Sequence, residues 1–130
     1  MNRRARPPSE HGSAVAEFCL VMVVLVPLVL GVMQVGFVLH VRNTITAAAA
    51  DGARVASRAG ATPEDGVRRA REQITQALSG RYARDVSSAR GSADGQPIVL
   101  VRVRAEVPAL GVAGPAVTVT GTGRAVEEVG

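Results

Sequence analysis

One stretch decides what this chain can fold into. Residues 18–41, FCLVMVVLVPLVLGVMQVGFVLHV, run for 24 residues without Asp, Glu, Lys or Arg, and a helix of about 20 such residues crosses the hydrocarbon core of a bilayer. Sixteen of them are Val, Leu or Phe. At roughly 0.3 to 0.6 kcal/mol each, these favour insertion by about 5 to 9 kcal/mol as an upper bound, because the values apply at the helix centre. Gln34, His40 and Pro27 subtract from that sum without reversing its sign, so the run predicts a single transmembrane helix. A cleaved secretory signal has a shorter apolar segment, about 7 to 15 residues, followed by a small-residue cleavage site. The Ala47 and Ala49 pair offers such a pattern only beyond Arg42, well past the end of the run. A lipoprotein signal is disfavoured because Glu17 and Phe18 precede Cys19, where small uncharged residues are required; Cys19 reads as an apolar filler.

Charge sets the expected topology. All 15 basic residues are Arg, against 11 acids, for a net charge of +4 and a pI near 10.9. They are spread along the chain and interleaved with acids, and the densest group, Arg68, Arg69 and Arg71, reads as a solvated helix face. A nucleic-acid interface is therefore not expected. Arg3, Arg4 and Arg6 precede the span, whereas only Arg42 follows it closely, which predicts a cytoplasmic N terminus and an extracytoplasmic C-terminal part. The polar segment 1–12, with Pro7 and Pro8, reads as a short cytoplasmic leader. One cysteine excludes an internal disulfide and a thiolate metal site.

Glu17 stands one position before the apolar run, with no arginine near it in sequence. It reads either as an interfacial carboxylate in contact with water or as a functional acid, since an acid within a span costs about 2.5 to 3.5 kcal/mol at the centre and less near the interface. If the chain were cut after Gly12, Ser13 would become the first residue and Glu17 the fifth. The new amine and the acid of adjacent helices would then neutralise each other.

That arrangement resembles pilin-like proteins. Together with Gly12-Ser13-Ala14-Val15-Ala16-Glu17-Phe18, Pro27-Leu28, Gly31, Gly36, Val41-Arg42-Asn43-Thr44, Ala48-Ala49 and Gly52-Ala53-Arg54, it resembles the TadE-like family, minor pseudopilins of the tight-adherence (Flp) pilus system. The likeness covers residues 12 to about 56 closely and the rest more loosely. It implies cutting between Gly12 and Ser13 by a prepilin peptidase, and subunit pairing through Glu17 and Phe18. The partners it implies are a major Flp-type pilin, other minor pseudopilins and an inner-membrane tight-adherence secretion platform, besides membrane lipid. Gln34 and His40 depart from the family pattern, where an acid and an aromatic are common.

Beyond the span, Val41, Ile45, Ala48, Gly52, Val55 and Ala59 recur at alternating spacings of four and three, a heptad-like helix face. Its small residues suit close packing, either as a seam with a partner helix or against the protein's own head. Asp51 and Arg54 are expected to pair at i,i+3. A helix over 13–58 would run about 69 Å. Gly60 closes it, and Thr62-Pro63-Glu64-Asp65 carries an N-cap, a first-turn proline and two acids for a second helix. Val67, Ala70, Ile74, Ala77 and Leu78 form the apolar face of that helix, which Gly80 ends. Residues 83–89 are a weak strand candidate. Residues 98–107 alternate clearly and 117–126 form another Val/Thr strand, with a loop at 108–115 containing Gly111 and Gly114. The expected fold is membrane-anchored α+β: a leader (1–12), a long pilin-like helix (13–58) with its span at 18–41, and a small antiparallel head (59–130). With 2% aromatic residues, the head's core is expected to be thin.

Catalytic constellations are not legible. His11 and His40 have no clustered carboxylates beside them, and Tyr82, Ser87 and Ser88 have no visible base partner. Gly121-Thr122-Gly123 sits late in a strand and opens no phosphate-facing helix, so it belongs to sheet geometry. No cofactor or metal is expected. The chain reads as the substrate of an enzyme rather than an enzyme. Two functions remain: a processed minor pseudopilin in pilus assembly or secretion, and an uncleaved single-pass anchored binding module.

Overall fold

The computed structural model describes residues 10–109 and 116–129. Arg3, Arg4 and Arg6 of the leader, and most of the 108–115 loop with Gly111 and Gly114, lie outside the described residues. The elements are α1 (Glu10–Ala56), α2 (Pro63–Ala77), a 3₁₀ turn (Gly80–Ala83), β1 (Asp85–Ala93), β2 (Gln96–Val107) and β3 (Val117–Val126).

The chain divides into two units, Met1–Val35 and Gly36–Gly130. The described part of the first is helix α1 alone. Its Val and Leu side chains are mostly bare, with Leu20 72% and Val23 73% exposed. Valine is a modest helix former in water, but in lipid each N–H and C=O must bond within its own segment, which favours the helix. Pro27 sits inside it. Among the described residues this is the one helix long and apolar enough to cross a membrane, which supports a single-pass anchor.

The second unit is an α+β head. Thr62 caps α2: its hydroxyl accepts from the Asp65 N–H while the Asp65 carboxylate accepts from the Thr62 N–H at 2.8 Å. This reciprocal bonding satisfies two first-turn donors. The helix stops at Ala77, before Gly80, and the Leu78 N–H still donates to the Ile74 carbonyl. Gly80 instead opens the 3₁₀ turn, where the Ser79 hydroxyl accepts from the Arg81 N–H.

The sheet is antiparallel in the order β1-β2-β3. The weak candidate at 83–89 is strand only from Asp85, and it extends to Ala93. Asp94 and Gly95, at φ 51° and 76°, form the two-residue connection between Ala93 and Gln96. Two successive positive φ angles match the twist of a tight hairpin, and Asp-Gly adopts them readily.

Cross-strand partners share a face. Val86, Val101 and Val103 on one side of the sheet, with Ala105, Val107 and Val119, meet Ile45, Ala48, Ala49 and Ala53 of α1 and Ala70 and Ile74 of α2. Tyr82 is the buried aromatic at one end of this core. Alanines and valines bury little area each, so the elements must approach closely. Gly121 and Gly123 of β3 permit that: a Cβ on Gly121 would lie 2.8 Å from the Thr46 nitrogen, and one on Gly123 would collide with the Ala49 backbone.

Candidate functional site

The N-terminal candidate residues lie on one helix. Gly12, Ser13, Glu17 and Phe18 are all exposed in α1, with Gly12 and Ser13 in its opening turns. Ser13 and Glu17 are four residues apart, so they occupy one helical face about 6 Å apart along the axis. Among the described residues no side chain is hydrogen-bonded or ion-paired to Glu17. Phe18 is 60% exposed, at the start of the apolar surface.

The seam residues lie elsewhere. Val41, Ile45, Ala48 and Gly52 are buried, Val55 is half-buried, and Ala59 is exposed beyond the helix end. What buries them is the protein's own head: Val41, Ile45 and Ala48 join the sheet-side core, and Gly52 faces Gly66 of α2. Ala49, Ala53 and Ala56 are equally buried, so the contact is a broader face than a heptad seam. Phe37 and Val38, the last turn of the apolar run, also pack against this core.

The expected Asp51–Arg54 pair is replaced. Asp51 Oδ2 accepts from Arg69 Nε at 2.8 Å and from Gln73 Nε2 at 2.9 Å, both on α2. The Asp51 carboxylate holds the Arg69 pKa above its ordinary value. The glycine contact brings α2 within reach of Asp51, and a partner on another helix then displaces the neighbour along the same one. Nothing in the local i,i+3 spacing revealed this, but the Arg68-Arg69 pair in α2 was a visible source of cations.

The remaining candidates are dispersed. His11, Cys19 and His40 are exposed, Tyr82 is core, and Ser88 is half-buried between α2 and the sheet while Ser87 points to the opposite face. Gly121 and Gly123 serve the helix-to-sheet approach described above.

No curated protein and no solved structure matches the chain. Over residues 12–54, about a third of its length, the chain matches the family model described as TadE-like protein, which identifies this segment as TadE-like and suggests a Tad pilus-associated protein.

Proposed function

We propose that the protein is a minor pseudopilin of tight-adherence (Flp) pilus biogenesis, cut between Gly12 and Ser13 by a prepilin peptidase. It sits in the cytoplasmic membrane with its N terminus inside and its head outside, and acts structurally in pilus assembly or secretion. One observation carries the reading. Within the TadE-like segment, Glu17 is an exposed carboxylate at the mouth of an apolar helix, one turn beyond Ser13 and without an intramolecular partner among the described residues. A charge at that depth is costly unless neutralised, and the amine of a cleaved Ser13 on an adjacent subunit supplies the opposite charge. The major pilin, other minor pseudopilins and the tight-adherence platform are the partners this role requires.

The test is the intact mass of the membrane-extracted protein. The wild-type chain is expected to lack residues 1–12, and Gly12→Leu to retain them, because a branched side chain at the scissile bond obstructs the peptidase. Full-length masses for both proteins, differing only by the Gly-to-Leu side chain, would exclude processing at this bond and leave an uncleaved anchored module.

A further inference from the structure

The charges of the head are unevenly placed. In the Gly36–Gly130 unit, Arg104 on β2 pairs in register with Asp85 of β1 and Thr120 of β3. Gly121, next to Thr120, abuts Ile45 and Thr46 of α1. Arg104 therefore lies level with the α1 turn that follows Arg42. The same end of the head carries the 3₁₀ turn with Arg81, and then Arg84. Arg81, Arg84 and Arg104 are exposed and, with Asp85, Ala105 and Glu106, line a hollow of about 240 Å³. Among the described residues none of the three arginines is in an ion pair, whereas Arg68, Arg69 and Arg90 are each paired with an acid.

This end is also where α1 emerges from its apolar run. Val41 is fully buried in the head core, and Phe37 and Val38 pack on it. Within the Gly36–Gly130 unit the head core thus includes the last turn of the apolar stretch. Among the described residues four arginines without an ion pair, Arg42, Arg81, Arg84 and Arg104, stand against two acids, Asp85 and Glu106, at this end of the head, with the Arg81 guanidinium 5.7 Å from the Tyr82 ring centre. Guanidinium groups bind phosphate through paired N–H donors, and basic residues beside a span attract anionic leaflets.

We propose that this end of the head is a binding surface for anionic phospholipid headgroups, with Arg81, Arg84 and Arg104 lining the hollow that receives the phosphate. The surface tethers this end of the head to anionic lipid. It rests on the reading of residues 18–41 as a membrane span and is independent of which side the head occupies.

The full-length protein is reconstituted into vesicles of phosphatidylcholine alone or with phosphatidylglycerol, and hydrogen exchange is followed at residues 80–85 and 104–106. Flotation with both vesicle types tests the span separately: a chain that does not float refutes the anchor, whereas one that floats puts the headgroup surface to the test. Phosphatidylglycerol is expected to slow exchange at these residues about fivefold or more, a factor corresponding to one arginine at an anionic surface. High salt should reverse the effect. Arg81→Gln/Arg84→Gln/Arg104→Gln should abolish it, and the three Lys variants together should restore part of it. Arg58→Gln/Arg71→Gln/Arg124→Gln removes the same charge elsewhere and should leave it intact. Equal exchange in the two vesicle types, or equal loss in both triple variants, would overturn the proposal. So would equal protection by inorganic phosphate over phosphatidylcholine vesicles, which would indicate a free-anion site.

Discussion

Gly52 of α1 and Gly66 of α2 each occupy the space a side chain would need on the other. A Cβ on either would lie 2.6 Å from the opposite glycine's carbonyl oxygen. Real Cβ atoms do not approach backbone this closely, so the helices must separate if either glycine is replaced. Gly66→Ala is therefore expected to destabilise the head by about 1 to 3 kcal/mol despite alanine's better helix propensity. Thermal unfolding followed by circular dichroism checks it; a stabilised variant would mean the helices do not touch here.

A second close approach joins α1 to the sheet. Any side chain on Gly123 would run into the Ala49–Ala50 backbone, which cannot swing away as a side-chain tip can. Gly123→Ala should lower the melting temperature by at least as much as Gly66→Ala. Gly91→Ala in β1 is the control, since its Cβ would meet only Leu100 and Ile98 side chains at 3.6 and 3.7 Å, ordinary contact distances. If Gly91→Ala proves the more damaging of the two, the register of β3 against α1 is misassigned.

These contacts explain which parts of the fold were legible in the sequence. The apolar run, the Thr62 cap and the alternation of β2 are local patterns, and each can be read without knowing its neighbours. β3 begins and ends at the expected residues for the same reason. β1 was underread because Ser, Gly and Ala give weak alternation; its stronger signal was the Asp94-Gly95 turn that sets its register on β2. The partner of the Val41–Ile45–Ala48–Gly52 face was not legible, because small residues at helical spacing fit a second protein or the same chain equally well. Gly66, Gly121 and Gly123, far away in sequence, decide it in favour of the chain's own head. Gly12, Ser13 and Glu17 rest on motif alone, because no tertiary contact among the described residues bears on them.

The cap of α2 predicts an acid response. The Asp65 carboxyl is held below its ordinary value of 3.8, first by the Thr62 backbone N–H, then by the Thr62 hydroxyl, with Arg68 adding to it. A depressed folded pKa stabilises the head fully above the unfolded value and is lost as pH falls through the folded one. The stability difference between wild type and Asp65→Asn should therefore be constant near neutrality and shrink below about pH 4. Melting temperatures measured across that range give the answer; a difference that grows on acidification would rule out the carboxylate cap.

Glu17→Ala separates processing from assembly. Glu17 lies beyond the bond proposed for cleavage and outside the Gly36–Gly130 unit, so the variant should insert, keep the wild-type melting temperature of its head and lose its leader near-normally. What disappears is the carboxylate proposed to pair with a cleaved Ser13 amine on an adjacent subunit. In a low-dielectric setting, removing one partner leaves the other charge unpaired, which is strongly destabilising. Docking should suffer while membrane abundance does not: cross-linking to the major pilin and piliation are expected to fall in a strain carrying this change alone. Glu17→Gln should behave like Glu17→Ala, since the amide keeps the shape and loses the charge. Full piliation in both strains would leave Glu17 as a water-facing interfacial acid and remove charge pairing from the proposed assembly step.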